Sequence, residues 1–185
     1  MLGFDLLAKE YDTLRRVDRA ASISDIIIKH IINGKNKSAM EYGCGTGLVG
    51  MRIASTVESL MFVDSSPEMI KQVSTKIKDQ CIENASARSQ DIVVSSANLP
   101  NFDYIFMSLV LHHIIDTELI FMRLHSLLNK GGHLLIVDLD EEDGKFHAEY
   151  ADFDGHNGFS QIELIALSKG IGFYKAESET FYYGS

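Results

Sequence analysis

Three glycines at alternate positions, Gly43, Gly45 and Gly47, stand between a short apolar run and an amphipathic stretch. Glycine enters left-handed backbone conformations without steric cost and lets another molecule lie against the main chain. A strand that breaks into such a loop and resumes as a helix is the opening unit of an α/β sheet. In such sheets the loop lies at the carboxyl edge, where ligands bind.

The rest of the chain follows the same alternation. Apolar runs at residues 39–42, 60–63, 85–89, 104–109 and 133–137 read as strands bounded by Gly, Asp or Asn. Residues 48–54, 67–82 and 117–128 read as helices between them, with Pro67 at an early position and Asp116 as an N-cap. Before the first strand, Ile23, Ile26, Ile27, Ile31 and Ile32 fall on one helical stripe over residues 20–32, and Gly34 stops it. Ser160 and Glu163 form a capping box for a helix to about residue 168, and the loose alternation over 173–183 predicts a last strand. Strands alternating with helices make a mostly parallel, doubly wound α/β sheet of Rossmann-like form. With two prolines in 185 residues and no repeat or low-complexity tract, residues 1–185 read as one domain, in which residues 1–34 form a helical cap.

Charge excludes some partners. Seventeen Lys and Arg against 26 Asp and Glu give a net charge of −9, unfavourable for nucleic acid or an anionic membrane face. Two cysteines are too few for a disulfide framework or a self-sufficient zinc site. No apolar run approaches the ~18 residues of a membrane span, and an acidic amino terminus is unlike a secretory leader. The expected location is cytoplasmic.

Seventeen residues past Gly47 the second strand ends in Asp64, an acid placed to accept both hydroxyl protons of a ribose. Gly45-Thr46-Gly47-Leu48-Val49-Gly50 also fits the dinucleotide fingerprint, so an NAD(P)-dependent oxidoreductase is a competing reading. The acid-x-Gly-x-Gly-x-Gly pattern from Glu41 to Gly47, with Phe62-Val63-Asp64-Ser65-Ser66-Pro67-Glu68-Met69, resembles class I S-adenosylmethionine-dependent methyltransferases. Phe4-Asp5 through Tyr11-Asp12 is similar to the start of the family's small-molecule branch (type 11/12-like), and Asp91-Ile92, Leu111-His112-His113 and Asn129-Lys130-Gly131-Gly132 match its later motifs.

The resemblance implies roles for particular residues. Gly43, Gly45 and Gly47 would pass under the methionine and ribose portions of S-adenosylmethionine, and Glu41 would support the loop and the amino-acid end. Asp64, with Ser65 beside it, would hold the ribose diol. Asp91 would face the adenine amino group, with Ile92 and Met69 against the ring. The backbone at Ser108 or Leu109 would receive the ammonium, and Tyr11 of the cap joins the cofactor-contacting set.

In-line methyl transfer needs chiefly alignment of the nucleophile and exclusion of water, with a base only where the nucleophile arrives protonated. His112 and His113, after the fourth strand, are the candidates for that base. Residues 138–154 carry eight acids and one lysine. A lid of that charge favours a cationic or amine small molecule as acceptor. No metal is expected, because Ser108 stands where a metal-dependent enzyme of this family would place its second acid. The family's sheet ends with a sixth strand and an antiparallel seventh, for which this sequence has no candidate after 173–183. The resemblance thus implies the order 3-2-1-4-5-(7)-6, in which strand 7 is either missing, leaving a free edge, or replaced by pairing across a homodimer. A non-catalytic S-adenosylmethionine-binding domain is the third reading.

Overall fold

The computed structural model describes Asp5, Ala8, residues 10–142 and residues 153–181. Five strands, β1 (Ser38–Tyr42), β2 (Ser59–Asp64), β3 (Ala85–Ser89), β4 (Phe102–Ser108) and β5 (Leu128–Val137), form one sheet. The strand order is β3-β2-β1-β4-β5 and every pairing is parallel. The order reverses between β1 and β4, so the crevice of the sheet opens at the carboxyl ends of those two strands.

Parallel strands need crossovers, and the amphipathic segments supply them. Helix α1 (Leu14–His30) precedes β1 and is capped by the Thr13 hydroxyl, which accepts from Arg16 N–H. A four-residue helix α2 (Gly50–Ile53) continues as a 3₁₀ turn over Ala54–Thr56 before β2. Helix α3 (Pro67–Asp79) starts at the Ser66 cap with proline in its first turn, where a missing N–H costs nothing. Helix α4 (Thr117–Ser126) is capped by Asp116, and α5 (Gln161–Ile171) by Ser160, with Gly172 ending it at φ +119°.

Alternation along the strands divides the core in two. Ala39, Leu60, Phe62, Tyr104 and Phe106 pack with Ile23 and Ile27 of α1, Ile53 of α2 and Val73 of α3 on one face. Met40, Val63, Ile105 and Met107 pack with Ile120, Phe121 and Leu124 of α4 on the other. Fully burying one such side chain is worth about 1.5–3 kcal/mol, so these layers supply the main stabilisation. At the amino edge, Asp103 ties β4 to β1 by accepting from Ser38 N–H at 3.0 Å and from Lys37 Nζ at 3.2 Å.

Two expectations need correction. The segment 173–181 forms no strand, and residues 182 and 183 lie outside the described residues. Its polar side chains bond to Gln161 and Asp140 instead of its backbone joining a ladder, as with Ser178 Oγ donating to Gln161 Oε1 at 2.8 Å. Strand β5 begins at Leu128, five residues before the expected start, because Gly131 (φ +77°) and a register shift between Phe102 and Tyr104 absorb the irregularity without ending the pairing.

Candidate functional site

The loop after β1 is built from its glycines. Gly43, Gly45 and Gly47 all have positive φ, at +68°, +51° and +80°. They face different surroundings. A Cβ on Gly43 would stand 2.4 Å from Val110 Cγ2, so this glycine permits the close approach of the loop after β4. A Cβ on Gly47 would meet Met51, Phe62 and Val73 at 3.3 Å, which places Gly47 against the core. At Gly45 a Cβ would meet only the Tyr11 ring, at the ordinary contact distance of 3.7 Å from Cε1, so the tyrosine packs against this glycine.

Asp64 holds that loop from the neighbouring strand tip. Its Oδ2 accepts from Gly45 N–H and its Oδ1 from Ser66 N–H, both at 2.8 Å. Burial raises its pKa above the usual carboxylate value, while those backbone donors oppose the rise. Glu41 is 2% exposed and accepts from Gly50 N–H at 3.1 Å. Desolvation lifts its pKa from 4.5 to about 8. A Cβ on Gly50 would lie 2.2 Å from Glu41 Oε2, so the residue after the loop must be bare to let α2 sit on this carboxyl.

These groups open onto a cavity of about 570 Å³ whose lining includes Tyr11, Glu41, Gly43, Gly45, Asp64, Ser65, Met69, Asp91, Ser108 and His113. That volume lies in the range of small-molecule pockets. Gly47, Ile92 and His112 do not line it. Ile92 is fully buried in the second core layer. His112 is 2% exposed, and its Nδ1–H donates to Asp138 Oδ1 at 2.6 Å. Of the two adjacent histidines, only His113 presents itself to the cavity.

Several lining residues had no signal in the sequence. Arg16 and Arg19 project from α1, with the Arg16 guanidinium 4.2 Å from the centre of the Tyr11 ring and its Nη1 donating to Tyr11 O at 3.1 Å. The buried thiol of Cys44 also lines the wall, and desolvation pushes its pKa well above the ordinary thiol value. Leu109, at the end of β4, takes φ +54°, a strained conformation for a branched residue that sharply turns the chain beside the glycine loop.

Asp138 corrects a further expectation. Read as part of an acidic lid, its side chain is 4% exposed and holds the loop after β4 in place. It accepts from Val110 N–H at 3.1 Å, Leu111 N–H at 2.8 Å and Leu139 N–H at 2.9 Å, besides the imidazole. On the far side, His156 N–H donates to His112 O at 2.7 Å and His156 Nε2–H to Ile114 O at 3.0 Å. Residues 143–152, most of the expected lid, lie outside the described residues; Asp154, just beyond them, lines the cavity with Asp116.

The comparisons with known proteins fit this geometry. Residues 40–134 match the family model described as a methyltransferase domain. The chain belongs to that family. This methyltransferase domain is 28% identical over 177 residues to an uncharacterized methyltransferase of Schizosaccharomyces pombe, covering 86% of this chain and 62% of that protein. The domain spans about three fifths of the length of the curated relatives it matches. Among solved structures it resembles the methyltransferase bound to the Trm112 activator of Haloferax volcanii, with TM-score 0.80 and 16% identity over 94% of this chain and 77% of that one. It also resembles DhpI, solved as a complex with SAH, with TM-score 0.72 and 21% identity over 91% and 83% of the two chains. Among the described residues of this methyltransferase domain, no helix is long and apolar enough to cross a membrane.

Proposed function

We propose that this chain binds S-adenosylmethionine in the cavity and transfers its methyl group to a small-molecule acceptor. The observation that carries the reading is the cavity that the glycine loop, Asp64 and Tyr11 line together, with Asp64 fixing Gly45 N–H at its floor. When bound, the cofactor supplies a methyl group on a sulfonium that departs as a neutral thioether.

The protein's own groups divide the cavity by chemistry. Asp64 retains unused lone pairs on both oxygens for a ribose diol. Asp91, whose Oδ1 accepts from Val93 N–H at 2.9 Å, stands with Met69 at the adenine end. Arg16 and Arg19 give the methionine carboxylate its counter-charge, a role that neutral loop residues fill less well. The wall from Leu109 to Asp116, with Asp154, is left for the acceptor. Its acids favour a cationic or amine group there, and the rim isoleucines exclude water from the line of transfer. His113 is the base where the nucleophile arrives protonated, while His112 serves the wall's shape.

Titration calorimetry tests the reading directly. Binding of S-adenosylmethionine and S-adenosylhomocysteine at micromolar levels, with none of NAD⁺, is the expected result. The reverse preference would favour the oxidoreductase reading. Donor binding without turnover across an amine, phenol and carboxylate acceptor panel would favour a non-catalytic domain.

A further inference from the structure

The residues before α1 carry an ionic contact that neither the fold nor the methyl-transfer reading requires. Asp12 reaches two parts of the glycine-loop side at once. Its Oδ1 accepts from the Thr46 hydroxyl and its Oδ2 from Lys76 Nζ at 2.7 Å. Lys76, on α3, also donates to Thr46 O at 2.7 Å, which closes a three-membered cluster. Two of the three partners adjoin or line the cavity, since Asp12 follows Tyr11 and Thr46, after Gly45, is part of its wall. The cluster therefore sets the distance between the tyrosine ring and the bare glycine backbone beneath it. The same segment is held at two other places: Ser66 Oγ donates to Asp5, and Arg16 Nη1 bonds to Tyr11 O. The carboxylate of Asp12 and the ammonium of Lys76 are 36% and 24% exposed, so water competes for this contact and it can open without unfolding the core.

We propose that Asp12 is a positioning residue: with Lys76 and Thr46 it latches Tyr11 over Gly45 and so sets how slowly the adenosyl ligand leaves. The inference rests on the cofactor reading above. A ligand in the cavity lies against Tyr11 and Arg16, so its release is eased when the Tyr11 ring moves off Gly45. The charged pair that resists this motion, Asp12 with Lys76, stands behind the cavity wall, which the cluster reaches only through Thr46. Loss of the latch therefore acts on the rate of release more than on the rate of capture.

The test is the dissociation rate of S-adenosylhomocysteine from the full chain, followed by stopped-flow fluorescence of a displaced adenosyl analogue. The variants are Asp12→Asn, Lys76→Met, the double variant and Asp12→Glu. The two single variants are expected to raise the off-rate about tenfold and leave the on-rate within about twofold. The double variant should match either single one, because all three lose the same contact. Asp12→Glu, which keeps the charge, should recover most of the slow release. High salt should speed release from the wild type but not from Asp12→Asn, a response that a merely structural role would not produce. Off-rates within twofold of wild type in both single variants, or a fall in melting temperature alone, would overturn the latch. A wild-type chain that binds no S-adenosylhomocysteine would overturn the cofactor reading, and the latch with it.

Discussion

At the scale of single residues, the buried acid Glu41 gives the sharpest expectation. Its pKa is about 8 in the folded chain and near 4.5 when solvated, so between those values the folded state holds a proton that the unfolded state has lost. Stability from this group is complete below pH 4.5 and declines as pH rises toward 8. Glu41→Gln keeps an acceptor for Gly50 N–H and removes the titration. Its melting temperature, relative to wild type, should therefore rise steadily from pH 5 to pH 8 in a thermal-scan series; parallel curves would contradict the argument. Gly45→Ala separates backbone strain from site blocking. Gly131 has a comparable φ of +77° with nothing within 4 Å of a Cβ, so Gly131→Ala should cost only about 1 kcal/mol in urea unfolding. Gly45→Ala should cost a similar amount and also weaken S-adenosylhomocysteine binding by roughly tenfold or more, because its methyl group wedges between the loop and the Tyr11 ring on the cavity's own lining. The glycines and Asp64 were legible because tight turns and strand tips are encoded locally. Nothing local distinguishes His112 from His113: the turn over Leu111–His113 that buries one and exposes the other is set by Asp138, 26 residues away.

At the scale of elements, the loop after β4 shows how one side chain can shape a wall. Asp138 satisfies three backbone N–H groups and an imidazole from the tip of β5, so Leu109 can hold its left-handed turn without leaving donors unpaired. Asp138→Asn places an amide N–H among these donors and should cost about 2–4 kcal/mol in denaturant unfolding, far more than exchanging an exposed acid such as Asp25. Equal losses for the two would show that the cluster carries no such weight. Composition grouped Asp138 with the solvated acids that follow it, because charge counts say nothing of direction along a strand end. The segment 173–181 misled for a related reason. Its alternation is that of a strand, but Phe173 lodges its ring against Phe121 and His125, and the polar side chains beyond it find partners at the start of α5.

At the scale of the whole molecule, the layered parallel α/β sheet followed from the alternation of apolar runs with capped helices, which is a property of long stretches and tolerates local error, whereas the order of its five strands came from the family resemblance. The arginines of α1 were invisible at that scale as well. Only the packing of Ile23 and Ile27 on the sheet turns Arg16 and Arg19 toward the cavity. Ligand linkage gives a global check: S-adenosylhomocysteine at 100 times its Kd should stabilise the fold by about 2.7 kcal/mol, read as a rise in melting temperature that NAD⁺ at the same concentration does not produce. Beyond β5, Asp140 bridges Phe159 in parallel pairing, and Glu142 N–H bonds to Asn157 O at 2.9 Å. The chain thus comes back alongside its own exit from β5, residues 157–159 pairing with residues 140–142. That pairing anchors both flanks of the connection independently of the sheet, so a change in the length of chain between them adds only a slowly growing loop-closure cost and leaves the register of β4 and β5 untouched.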